Sequence, residues 1–244
     1  MSSASPDDAA LPSGLPSSPP ARTPSRQSAA AARRRAREQQ ILAETRRLFD
    51  ESGVRDAQID DIAKAVGINR AIIYRHFSGK EELFALAVES YLEELRGRLD
   101  TAAAAHPDDP VARLGEVVGA FVDYGLEYPA FIDCAQTLMR RPGPELLEQV
   151  SEGALLRLGR AITTCLRTLT ETLDAGVASG DFQKGDTVLL ANYMYATGLG
   201  AMQLARIGMV VKEGSPGIPA ISRISGDQVR DFLVGTAVGL ATRR

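Results

Sequence analysis

The sequence has no tryptophan, two cysteines and two histidines in 244 residues, and only 5 % of it is aromatic. Two cysteines, Cys134 and Cys165, cannot build a disulfide framework or a cysteine-walled zinc site. Two histidines, His76 and His106, leave little for a histidine metal centre, so no metal and no cofactor is expected. No run of about 18 apolar residues is present, so no membrane span is expected. The N-terminus lacks a basic-then-apolar leader, and a cytoplasmic setting is the expectation. There is no Ser-His-Asp arrangement, no phosphate-binding loop and no dinucleotide-binding glycine pattern, so catalysis has no foothold and the chain is not expected to be an enzyme. With so few aromatic rings, a core must rest on Leu, Ile, Val and Ala. At 44 % hydrophobic and 24 % charged the composition is that of a globular protein, long enough for one large or two small domains.

The net charge of −3 hides a split. Residues 22–80 carry 13 basic and 7 acidic side chains, and residues 81–244 carry 15 basic and 22 acidic ones. A basic module ahead of an acidic body points the first part toward a polyanion; the plainer reading is a run of solvated arginines. The chain opens on a stretch, residues 1–32, in which Ser, Ala and Pro fill 22 positions. It has almost nothing to bury and is expected to be a disordered tail. It runs into a basic arm of Arg33, Arg34, Arg35 and Arg37.

Beyond the tail the apolar residues recur at helical spacing. Ile41, Leu42, Thr45, Leu48 and Phe49 form one stripe that stops at Gly53. Ile59, Ile62, Ala63 and Val66 form two turns ending at Gly67, and Asn69 to His76 form another short helix. Leu83 to Leu99 mark a long fourth helix, about Lys80 to Ala104, of about 37 Å at 1.5 Å per residue. A break at His106 to Pro110 opens a larger half. There, Asp108 or Asp109 caps a helix to Tyr128, and Pro129 starts one to about Arg140. After a 141–144 loop, one helix is expected over 145–179, another over 186–211 and a last over 227–241, with 213–226 as loop. No segment alternates with period two for long enough to require a strand. The fold class expected is therefore all-α.

Two short helices around a tight Val66–Gly67–Ile68 turn, preceded by a longer helix, have helix-turn-helix spacing. Ile62, Val66, Ile68 and Ile73 can pack inward, which leaves Asn69, Arg70, Ala71, Tyr74 and Arg75 outward on the second helix. Donors and small apolar groups on a short exposed helix, with arginines nearby, fit entry into a DNA major groove.

The stretch IDDIAKAVGINRAIIYRHFSGKEELF, residues 59–84, resembles the DNA-binding signature of the TetR (tetracycline-repressor) family. The resemblance lies in Ile62–Ala63, Gly67–Ile68, Tyr74–Arg75–His76–Phe77 and Lys80–Glu81–Glu82–Leu83, and covers roughly residues 35–90. It implies a three-helix DNA-binding module over residues 33–80, joined by the fourth helix to a helical effector-binding and dimerisation domain over residues 81–244. It implies phosphate contacts from Tyr74, His76 and Lys80. Asn69 and Arg70 become the base readers, with Ala71 and Ile72 placed to touch a thymine methyl. Arg34, Arg35 and Arg37 become an arm on the backbone or in the minor groove. The sequence departs from the family at Ala57 and Gln58, where Ser or Thr is common, so that Asp56 is left to cap or Gln58 to bind the phosphate. It departs again at Ala71 and Ile72, where Gly and Thr are common.

The second half is less specific. Phe121, Tyr124, Phe131, Cys134, Leu138, Met139, Leu158, Ile162 and Cys165 can line a pocket or fill a core, and Asp123, Glu127 or Asp133 can orient the polar end of a ligand. Tyr195, Leu199, Met202, Gln203, Arg206, Val229, Phe232, Leu233 and Thr236 on the last two helices are candidates for a homodimer interface, or for an intramolecular core. The family reading is a homodimeric repressor on a palindromic operator in double-stranded DNA, released by an apolar small-molecule effector. A DNA-binding dimer without a small-molecule effector and a helical protein-interaction module remain open beside it.

Overall fold

A computed structural model of the chain describes residues 26–54 and 58–242. The chain divides into two units, Met1–Arg37 and Glu38–Arg244. The described part of the first is the opening of helix α1 (Arg26–Ser52). Residues 26–32 are thus helical where a tail was expected, in keeping with the high helix propensity of the four alanines at 29–32. Residues 1–25 of the expected tail lie outside the described residues. Arg33, Arg34, Arg35 and Arg37 are exposed on a helix instead of forming a flexible arm.

The second unit holds the remainder of α1 and the helices α2 (Ile59–Val66), α3 (Arg70–His76), α4 (Lys80–Ala105), α5 (Pro110–Glu127), α6 (Pro129–Met139), α7 (Gly143–Gln149), α8 (Glu152–Ser179), α9 (Thr187–Ile207) and α10 (Gly226–Thr242). Between α9 and α10 stands an antiparallel hairpin, β1 (Met209–Ser215) and β2 (Ile218–Arg223). The fold class is all-α with this hairpin added. Helix α4 is central: every residue from Glu82 to Glu89 is buried, because α8, α5 and α6 pack around it. Helix α5 in turn packs on α10.

The helix starts follow capping chemistry. Asp109 accepts from the Ala112 amide at 2.9 Å ahead of Pro110, and Asp186 accepts from the Leu189 amide at 2.8 Å. Two expectations are corrected. The 145–179 helix is two helices, because Val150 is extended and buried while Ser151 turns its hydroxyl onto the Ala154 amide to start α8 afresh. The helix expected to reach residue 211 stops at Ile207, where Gly208 takes φ +67°, a left-handed conformation that glycine adopts without a Cβ clash. Residues 209–223, expected as helix end and loop, pair instead as strands. Their alternation was hard to see because most of these residues are exposed and a bulge between Glu213 and Ser215 breaks the register.

Candidate nucleic-acid interface

Helix α2 ends at Gly67 with φ +70°, whose amide closes on the Ala63 and Lys64 carbonyls. That turn sets α3 against the module core, where Ile62, Val66 and Ile73 are buried and Ile68 is partly buried. The outward face of α3 then carries Arg70, Ala71, Tyr74 and Arg75, all exposed. Arg70 lies 3.5 Å from Asp60 and donates to the Tyr74 hydroxyl at 3.1 Å, with its guanidinium 5.4 Å from the Tyr74 ring centre. These contacts lie at the surface and hold the guanidinium loosely along the helix.

Asn69 is placed differently from a pure base reader. Its side-chain oxygen accepts from the Ala71 amide at 2.9 Å and caps α3, which commits half of the amide group and leaves its NH2. Ile72 is half-buried and so offers a base less than the exposed Ala71 does. His76 is half-buried with its ring 6.3 Å from that of Phe77. Lys80 opens α4 with its ammonium 5.1 Å from the Phe84 ring centre. Gln58 precedes α2, exposed and making no side-chain cap bond. The Asp56 alternative and Ala57 lie outside the described residues. Gln58, Asn69, Arg70, Ala71, Tyr74, His76 and Lys80 all belong to the segment formed by α2, α3 and the start of α4. Arg34, Arg35 and Arg37 belong to the first unit.

Residues 41–87 match the model of a family described as bacterial regulatory proteins, tetR family. That stretch is similar to the DNA-binding module of TetR-family regulators. The chain is 37 % identical over 81 residues to the HTH-type transcriptional regulator AcrR of Shigella flexneri, a match covering 33 % of this chain and 37 % of that protein. It is 27 % identical over 162 residues to the HTH-type transcriptional repressor NicS of Pseudomonas putida, covering 64 % of this chain and 71 % of that one. The match to AcrR thus spans well under half of that relative's length. Among solved structures the fold superimposes with a TM-score of 0.63 on RolR in complex with its ligand resorcinol, at 18 % identity over 88 % of this chain and 91 % of that one. The TetR-family fold therefore extends through the body as well as the module.

The body is tied to the module by polar contacts that sequence reasoning missed. The Arg46 guanidinium on α1 lies 4.1 Å from the Tyr91 ring centre, donates to Glu94 and reaches the Tyr124 hydroxyl at 3.3 Å. The Tyr91 hydroxyl donates to Asp50 at 2.6 Å. Burial pushes the Asp50 carboxyl above its ordinary value despite that bond, and burial beside Asp50 pushes the Tyr91 phenol far up as well. Lower down, Glu82 is buried and accepts from the Ser78 amide and from the Ser151 hydroxyl at the start of α8. Burial alone raises its carboxyl, but these donors and the charge of Arg157 outweigh burial and hold it below the ordinary carboxylate value. No single residue of these clusters is unusual by type, so no signal in the sequence marked them.

The expected pocket residues divide. Phe121, Ile162 and Cys165 line an apolar cavity of about 70 Å³ between α4, α5, α8, α9 and α10. Tyr124, Phe131, Cys134, Leu138 and Leu158 do not reach it: they are buried core, and Met139 is exposed. The wall is completed by residues not foreseen, among them Leu95, Val118, Leu169 and Met194. Asp123, Glu127 and Asp133, the acids expected to orient a ligand, pair with Arg230, Arg98 and Arg206. Both thiols are buried and pushed up by that burial, Cys165 to about 12, which makes them poor nucleophiles.

Most of the side chains expected at an interface on α9 are turned into the protomer. Leu199 and Met202 are buried within the protomer, Gln203 donates to Gln136, Arg206 pairs with Asp133, and Tyr195 is half-buried beside Phe121. Val229 and Leu233 on α10 are also buried, and Thr236 lines the cavity. Phe232 alone of that set is a large exposed apolar group, at 71 %. The outward face of α9 is instead Leu189, Tyr193, Ala196, Gly200, Leu204 and Ile207. Successive members are three or four residues apart, so they make one stripe along the whole helix, about 30 Å long. Sequence spacing allowed either face; the packing of α9 on α5 and α10 chose between them.

Proposed function

We propose that this chain is a homodimeric transcriptional regulator of the repressor type, which reads a palindromic operator through α3 and is released by an apolar small molecule. The observation that carries the reading is the exposed Arg70, Ala71, Tyr74 and Arg75 face of a helix held by a glycine turn within a family-matched module. An arginine so placed can bond bidentately to guanine, and Ala71 can meet a thymine methyl. Tyr74, His76, Lys80 and Gln58 flank that face as phosphate contacts. The apolar stripe of α9, with Phe232 of α10, supplies the second copy that a palindrome requires.

Release works through α4. That helix carries Lys80 beside α3 and presents Leu92, Leu95 and Leu99 to the cavity. A ligand that enlarges the cavity displaces α4, and α1 follows through Arg46 and Asp50. About 2–3 kcal/mol of preference for the displaced form weakens operator binding some 30- to 150-fold. A cavity of about 70 Å³ is smaller than the usual ligand site, so binding requires Phe121 and its neighbours to move. That small volume equally favours a second reading, a DNA-binding dimer without a small-molecule effector. Selection of bound duplexes from a random library with the purified protein tests the first claim: an enriched inverted repeat supports it, and no enrichment by a folded protein refutes it. Thermal shift with resorcinol and with longer apolar compounds separates the two readings, since the second predicts no shift with any of them.

A further inference from the structure

The hairpin between α9 and α10 wears its apolar side outward. In the register Val211 faces Ile221 and Met209 faces Arg223, which places Met209, Val211 and Ile221 on one face. The opposite face carries Val210, Lys212, Ala220 and Ser222, of which Val210, Ala220 and Ser222 are half-buried and Lys212 is exposed. Val211 is 76 % and Ile221 70 % exposed, with Ile218 near the tip at 61 %. A strand pair folding for its own protomer's benefit buries its larger branched side chains and turns the smaller and polar ones out. Here Met209, Val211 and Ile221 stand outward beside Glu213 and Arg223, while the smaller Ala220 and Ser222 are turned in. The hairpin is also only two strands, a unit marginal in water without a surface to pack on.

We propose that this outer face docks on a second copy of the chain, as an arm that extends the dimer contact beyond α9 and α10. The proposal rests on the dimer reading above. A second copy is favoured because the exposed Leu204 and Ile207 at the end of α9 are followed in the chain, across Gly208, by the exposed Met209 and Val211 of β1, so apolar exposure continues from helix into arm. It is favoured also by self-complementarity. Leu189 and Val188, 66 % and 58 % exposed, stand at the other end of the same helix, about 30 Å away. A two-fold pairing of antiparallel α9 helices brings the arm of each protomer to that end of its partner, so each copy both gives and receives the same contact. Lys212, Glu213 and Arg223 give the hairpin mixed charge and no basic cluster, which does not suit a lipid surface.

The test is sedimentation velocity on the full chain over a concentration series, with three proteins. They are the wild type, Val211→Thr with Ile221→Thr (polar, but at home in strands), and Phe232→Glu as a helical-face control. Circular dichroism and the unfolding midpoint confirm that each protomer folds. Removing two branched side chains from a covered surface is expected to raise the dimer dissociation constant by about tenfold to a hundredfold. A hairpin variant that dimerises as tightly as wild type, while Phe232→Glu dissociates, overturns the arm and leaves the helical dimer standing. A wild type that stays monomeric throughout overturns both. A disulfide trap supplies independent evidence: Val211→Cys mixed with Leu189→Cys is expected to form the mixed dimer on oxidation, with Cys134 and Cys165 buried and silent. Absence of that product overturns the placement of the arm on the partner's α9.

Discussion

Glu82 is a carboxylate buried where the module meets the body, and its removal is measurable in two ways. It accepts from the Ser78 amide on one side and from the Ser151 hydroxyl on the other. Hydrogen bonds to a charged group contribute about 1.5–3 kcal/mol each, but Ser78 and Ser151 are themselves exposed and water recovers part of the loss. Glu82→Ala is therefore expected to cost about 2–3 kcal/mol, which for a chain of this size lowers the unfolding midpoint by about 4–12 °C. Glu82→Gln keeps the shape and one acceptor and costs about 1 kcal/mol. The carboxyl is held below its ordinary value of 4.5, so its contribution is fully present above that pH and is lost as pH falls through the folded value. Asp50 is shifted up, so its contribution runs the opposite way, and the informative quantity is the gap between variant and wild type rather than either curve. Thermal unfolding followed by circular dichroism from about pH 7 down to about pH 3.5 is the assay. The gap between wild type and Glu82→Gln should be full at neutral pH and close on acidification. A gap that stays constant, or a Glu82→Ala midpoint within about 1 °C of wild type, refutes the reasoning.

On the proposed reading of Arg70 as a base contact, Arg70→Ala is expected to relax base preference across a set of operator variants; unchanged preference places Arg70 on the backbone instead. Tyr74→Phe and Lys80→Ala are expected to weaken all duplexes alike, and Lys80→Ala to flatten the salt dependence by about one ion; a sequence-selective loss counts against these phosphate contacts. Gly125→Ala drives a Cβ into Met202 Sδ and places it 2.9 Å from Ile132 Cδ1, so it is expected to destabilise the body. The cost is about 1–3 kcal/mol, and a denaturant midpoint equal to wild type would show that Met202 simply swings away.

The legible part of this protein is its local chemistry. Gly67, the apolar spacing of Ile62, Val66 and Ile73, and the Tyr74-to-Leu83 signature identify the helix-turn-helix and its outward face without any partner element, because a turn and two short helices are specified by neighbours in sequence. Asp109 and Asp186 mark helix starts for the same reason. What the tertiary structure alone decided is rotation and junction. Whether Leu199 or Leu204 faces inward depends on where α5 and α10 lie, and a helix with apolar groups on both sides carries no local sign of which side is covered. Asp50 with Tyr91, and Glu82 with Ser151, are ordinary residues until the fold buries them together. The hairpin was lost for a related reason. Met209, Val211 and Ile221 look out of the protomer, and reading a single chain for its own core does not find them.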